Sequence, residues 1–213
     1  MDFEYLKDPS TIEAESFRRV RALTDLTDFE ERAQQVVMRL VHCCGMPEIV
    51  SDLHVSDHAI DAGLCALRSR APVLCDVEML RRGLTRRFID SPCLCYLDAV
   101  GVDDDARARG ETRTMAALDR WNTHLDGAIA AVGNAPTALF RLLEMLEAGA
   151  DRPALVIGMP VGFVGAAESK DALLDFSRRE SVPSIVLRGR KGGSAMAASV
   201  INALARLARG ITV

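Results

Sequence analysis

The chain has 213 residues, a net charge of −4 and 49% hydrophobic residues, with a mean hydropathy of +0.10. The negative charge argues against nucleic acid as the main partner, and no apolar run reaches the roughly 18 residues of a membrane-spanning helix. The length suits one sizeable core, so a single domain over residues 1–213 is expected. Aromatics make up only 5% of the chain, so that core must be aliphatic. The opening residues lack the basic-then-apolar order of a signal peptide, which gives a cytoplasmic expectation.

In chain order, helices are predicted over 9–23, 28–44, 56–69, 76–83, 105–121, 136–148, 165–176 and 194–209. Strands are predicted over 71–75, 94–97, 128–132, 154–158 and 184–187. In the second helix Ala33, Val36, Val37, Leu40, Val41 and Cys44 recur at helical spacing. Gly45 ends it and Pro47 forbids its return. The strands are continuous apolar runs, the pattern of strands covered on both faces in a parallel sheet. From Ala128 onward strand and helix alternate three times. The expected fold is α/β, a three-layer α/β/α arrangement with a mainly parallel sheet of about five strands flanked by helices.

Six cysteines raise the question of metal or disulfide chemistry. Helical neighbours diverge by ~100°, so His42, Cys43 and Cys44 cannot all face one ion. Cys93 and Cys95 share one face of a predicted strand, and no CxxC pair occurs. Buried, reduced cysteine is expected, with no metal site. Lysine occurs only at Lys7, Lys170 and Lys191, so the basic residues are mostly arginine, the side chain suited to bidentate carboxylate binding.

In an open parallel sheet, ligands bind beyond the carboxyl ends of the strands. Three turns stand out there. Gly133-Asn134-Ala135-Pro136 leaves a strand, and Pro136 suits a first helical position. Gly158 to Gly165 is long, apolar and glycine-rich, made to touch something flat and greasy or another subunit. Arg188-Gly189-Arg190-Lys191-Gly192-Gly193 precedes a helix N-terminus with Ser194 as its cap, an anion site in prospect. Neither GxGxxG nor GxxxxGK[ST] is present, which disfavours a nucleotide-binding enzyme; carboxylates would serve as the anion. His42 falls in the last turn of its helix, where carbonyls without partners attract positive charge, a place suited to a proton donor.

These segments together resemble the precorrin-8X methylmutases, also called cobalt-precorrin-8 methylmutases, of cobalamin biosynthesis. The resemblance runs through Glu15-Ser16-Phe17-Arg18, Val41-His42-Cys43-Cys44-Gly45-Met46, Leu74-Cys75-Asp76-Val77-Glu78-Met79, Thr85-Arg86 and Thr112-Arg113. It continues through Gly133 to Leu139, Pro160 to Val164, Glu168-Ser169-Lys170 and Gly192-Gly193-Ser194. Ala195 departs from the proline expected after that last run. The resemblance implies a homodimer with active sites near the interface and a hand-over to neighbouring pathway enzymes. It implies an isomerase that moves a methyl group within ring C of a contracted tetrapyrrole, from the α-carbon to the adjacent β-carbon, without an external cofactor. His42 matches the catalytic histidine, which would protonate the ring-C nitrogen. Ser16, Arg18, Thr85, Arg86, Arg113 and Lys170 fall in segments that look like substrate contacts. The alternative is a corrinoid-binding or carrier protein that keeps the arginines and loops but needs no proton donor.

Overall fold

The computed structural model describes residues 3–213. Helices α1 (Pro9–Leu23), α2 (Glu31–Cys44) and α3 (Ala59–Arg68) surround strand β1 (Leu53–Val55) in the chain. Strand β2 (Val73–Cys75), α4 (Glu78–Arg82), β3 (Cys93–Leu94), α5 (Val102–Arg109) and α6 (Arg113–Leu118) follow. The second half alternates as β4 (Ile129–Val132), α7 (Pro136–Glu147), β5 (Leu155–Gly158), α8 (Ala166–Glu180), β6 (Ser184–Leu187) and α9 (Ser194–Ala208).

The strands form one sheet in the order β1-β6-β5-β4-β2-β3, parallel except for β1, which pairs antiparallel with β6. Every residue of β4, β5 and β6 is buried, as continuous apolar strands require when helices cover both faces. Side chains alternate across that sheet. Val73, Cys75, Ile129, Ala131, Leu155, Ile157, Ile185 and Leu187 point into a core shared with α2, α3 and α9. Leu74, Ala130, Val132, Val156 and Val186 point into the opposite core, with Trp121, α7 and α8. The expected α/β/α layering is therefore observed.

The sheet, expected at about five strands, has six, and three other expectations need correction. β1 is too short to show a pattern, and it is held by a partner more than a hundred residues away. The helix expected over 28–44 starts at Glu31, because Asp25 accepts the Thr27 N–H at 3.0 Å and folds the preceding residues into a turn. The helix expected over 105–121 is two helices. Gly110 ends α5 in a left-handed conformation, and the Thr112 hydroxyl accepts the Met115 N–H to cap α6. Finally, the cysteines are free thiols but only Cys75 is buried; Cys43 and Cys65 are exposed, and Cys95 lies beyond the end of β3.

Candidate active site

The chain leaves β2 for β3 on one side of the sheet and returns to β4 on the other. The crevice between the carboxyl ends of β2 and β4 is the switch point where such sheets bind ligands. Asp76, directly after β2, fills it. Its side chain is 1% exposed and accepts the backbone N–H groups of Gly133 (3.1 Å), Asn134 (2.8 Å) and Ala135 (3.0 Å). Burial pushes this carboxyl above its usual range, and those three donors oppose the shift. The turn after β4 is thereby fixed in place. Gly133 has no room for a side chain: a Cβ there would lie 2.9 Å from Leu80, 3.0 Å from the Ala197 Cβ and 3.0 Å from the Ser194 Cα.

The other two turns are stitched to each other. The Gly193 N–H donates to the Met159 carbonyl at 2.8 Å, and the Gly162 N–H donates to that of Arg190 at 3.2 Å. A Cβ on Gly192 would sit 2.3 Å from the Met159 oxygen, so only glycine allows this approach. Phe163 and Val164 stand 89% and 88% exposed at the tip, with the Arg190 guanidinium 5.7 Å from the Phe163 ring centre. Ser194 is the first residue of α9 and buried rather than its cap; Gly193 holds the cap position and offers no side-chain bond.

His42 reaches this edge from the end of α2, which closes when the Gly45 N–H bonds the Val41 carbonyl at 2.8 Å. The neighbouring Cys43 thiol meets the Ala195 carbonyl at 3.5 Å, which sets the end of α2 against the start of α9. The His42 side chain is exposed but oriented. Its Nδ1 lies 2.8 Å from the Ser16 hydroxyl, and its ring stacks on Phe17 with centroids 5.0 Å apart at 23°. Ser16 and Phe17 are consecutive residues of α1, so one turn of one helix fixes both the edge and the face of the imidazole. With Nδ1 engaged, Nε2 is the nitrogen left to exchange a proton.

The remaining candidates occupy several places. Arg18 is exposed on α1, paired with Glu15 at 2.6 Å. The Thr85 N–H donates to Asn202 Oδ1 on α9 at 2.7 Å, and the Asn202 amide donates back to the Gly83 carbonyl at 3.0 Å. Arg86 donates to the Ser91 carbonyl at 3.1 Å. Arg113 opens α6, paired with Asp98 (2.9 Å) and Asp103 (2.5 Å), and the adjacent Thr112 hydroxyl meets that of Thr137 beside the first turn (2.9 Å). Only Ser16 is in hydrogen-bonding contact with His42; Arg18, Thr85, Arg86 and Arg113 are not, among the described residues.

Lys170 is of another kind. It is fully buried, and its ammonium donates to the carbonyls of Gly189 (2.7 Å) and Lys191 (2.6 Å), holding the basic turn from beneath. Burial pulls its pKa down from 10.5 to about 8. Sequence reasoning passed over Asp76, Phe17 and Asn202. A lone acid directly after a buried apolar strand was the available signal for Asp76; nothing local marked Asn202, whose partners lie more than a hundred residues away.

A family model described as precorrin-8X methylmutase matches residues 11–207. A protein named precorrin-8X methylmutase from Pseudomonas aeruginosa is 46% identical, over 95% of this chain and 97% of the relative. One named cobalt-precorrin-8 methylmutase from Salmonella typhimurium is 35% identical, over 94% of this chain and 96% of the relative. Among solved structures, a precorrin-8X methyl mutase from Thermus thermophilus superposes with a TM-score of 0.85 at 39% identity, covering 96% of this chain and 99% of that one.

Two measurements check this geometry. Asp76→Ala leaves three clustered N–H groups without their acceptor and should cost about 3–5 kcal/mol by urea unfolding. Asp76→Asn should recover only part of that, because its amide nitrogen cannot accept. For Lys170, the unfolded chain keeps the proton to about pH 10.5 while the folded chain releases it near 8. Between those values the folded state binds fewer protons, so this residue's contribution to stability rises with pH. The stability difference between the wild type and Lys170→Met should therefore grow from pH 8 to pH 10; a difference independent of pH would contradict the assignment.

Proposed function

The chain belongs to the precorrin-8X methylmutase family, and we propose that its methyl shift is driven by a proton carried on His42 Nε2. It is an isomerase of cobalamin biosynthesis, an intramolecular methyl transferase acting on a tetrapyrrole. The relatives are mutases, which favours this activity over a carrier. The reaction converts precorrin-8X to hydrogenobyrinate, or cobalt-precorrin-8 to cobyrinate.

In our reading the proton goes from Nε2 to the ring-C nitrogen. Protonation withdraws electron density from the conjugated system. The methyl group then leaves the α-carbon with its bonding pair and joins the neighbouring β-carbon in a sigmatropic shift. Substrate and product are isomers, so the proton is returned at the end of the cycle. Ser16 and Phe17 lower the barrier indirectly by holding the imidazole in one orientation. The donor matters most in the transition state, where such a group is typically worth ~10²–10⁴ in rate.

Recognition is divided between surfaces. The apolar loop at Val161, Phe163 and Val164 suits the flat face of the ring or a second copy of the chain. Arg18, Thr85, Arg86 and Arg113 suit the acetates and propionates that fringe it. Lys170 serves by shaping the basic turn that approaches those groups. Arg86 and Arg113 bond to other groups than His42, and we infer a homodimer with active sites near the interface, as the family resemblance implies. We also infer a cytoplasmic location and passage of product to the next pathway enzyme; no helix among the described residues is long and apolar enough to cross a membrane.

The observation that carries this reading is the hydrogen-bonded, stacked and exposed His42. His42→Ala should lower kcat by at least ~10² while product still binds. Ser16→Ala should lower kcat by roughly tenfold with little change in KM, as expected for lost orientation. Both are read from the absorbance change on isomerisation, and normal turnover by His42→Ala would remove the histidine from the mechanism.

A further inference from the structure

Asn202 stands half-buried on α9, facing the turn that follows α4. Its amide grips that turn on both sides of Leu84. Oδ1 accepts the Thr85 N–H at 2.7 Å, and Nδ2 donates to the Gly83 carbonyl at 3.0 Å. A carboxamide presents one acceptor and one donor side by side, so a single side chain supplies the pairing that a neighbouring strand would give. Neither backbone group has another backbone partner among the described residues.

The turn lies tight against the helix. A Cβ on Gly83 would sit 3.0 Å from the Ala198 Cβ, and Leu84 is buried. Thr85 opens a short 3₁₀ turn over Arg86–Phe88, so whatever fixes the Thr85 N–H fixes the point from which Arg86 departs. The Arg86 guanidinium is steadied further on by the Ser91 carbonyl (3.1 Å) and the Cys93 thiol (2.6 Å). Near the start of α9, the Ala195 carbonyl meets the Cys43 thiol, next to His42. Ala195 and Asn202 are seven residues apart, two turns and about 10 Å along one side of the helix. A rigid helix therefore spaces the Thr85 turn from the end of α2 that carries the acid.

We infer that Asn202 is a positioning residue for the methyl shift, holding Thr85 and Arg86 on α9 at a set distance from His42. This rests on the reading above, in which Thr85 and Arg86 meet carboxylates at the macrocycle rim. Asn202 acts through the turn and touches neither the ring nor the acid. A turn released from α9 still carries the same groups, but they must be ordered when the ring binds, which weakens binding. Rim contacts are alike in substrate and transition state, so the loss falls on binding and spares the chemical step.

The test combines steady-state kinetics with an absorbance titration by hydrogenobyrinate. Asn202→Leu, similar in shape but without either bond, should raise KM and the product Kd roughly tenfold and leave kcat within about twofold of the wild type. Made in an Arg86→Met background, the same change should raise Kd by less than about threefold, because the guanidinium it positions is gone. An asparagine that merely supports the fold predicts an equal loss in both backgrounds, or a loss shared by kcat. Either result overturns the proposal. If Asn202→Leu does not fold, Asn202→Asp keeps the acceptor for Thr85 and sets a second oxygen against the Gly83 carbonyl, and the same outcomes decide. A wild type that binds product no better than Asn202→Leu does removes the positioning role alone. A wild type that does not bind hydrogenobyrinate at all removes the substrate reading and the positioning role with it.

Discussion

A single buried carboxylate organises the working edge of this protein. Asp76 directly follows β2, and its two oxygens take three consecutive N–H groups from the turn after β4. The alternative for those N–H groups is burial without acceptors, which costs about 1–3 kcal/mol each. So β2 and the β4 turn can adopt only one relative arrangement. Gly133 then packs against Ser194 and Ala197 without room for a side chain, and the start of α9 is fixed in turn. Cys43 on α2 touches Ala195 one residue further on. The position of His42 is thus linked to a carboxylate on another element by a short series of close contacts.

In the proposed mechanism the acid and the recognition surfaces are built differently, and chemistry explains why. A proton donor must be held to within a fraction of an ångström of its acceptor. His42 sits on one helix and is oriented by two side chains of another. A macrocycle with many carboxylates has less exacting needs at its rim, and glycine-rich turns can meet it. Those turns are nonetheless firm. Lys170 spends its buried ammonium on two of their carbonyls, and backbone bonds tie the β5 turn to the β6 turn. Burying that charge is costly, and the arrangement makes sense where a basic loop must keep one shape while presenting its arginines outward.

Much of the fold was legible because it rests on local patterns. β4, β5 and β6 are unbroken apolar runs, each followed by a helix, and such a repeat has few solutions other than a parallel sheet. His42 was legible for the same reason: helical spacing before it and Gly45 after it put it in a last turn. The misses were non-local. β1 exists because β6 offers it an edge, and three residues cannot announce that in sequence. The carbonyls of Gly189 and Lys191 that Lys170 holds lie about twenty residues away, so its part in shaping the basic turn shows only in the fold. The division at Gly110 was readable in principle, since a glycine followed by a threonine cap ends one helix and starts another.

The two parts of the site act on different terms of the rate. Contacts to carboxylates far from ring C persist unchanged from substrate to transition state, because those groups neither move nor change charge in an isomerisation. Such uniform binding lowers KM and leaves the chemical barrier alone. In the proposed mechanism His42 interacts with a nitrogen whose basicity changes as the methyl group moves, so its contribution is confined to the barrier.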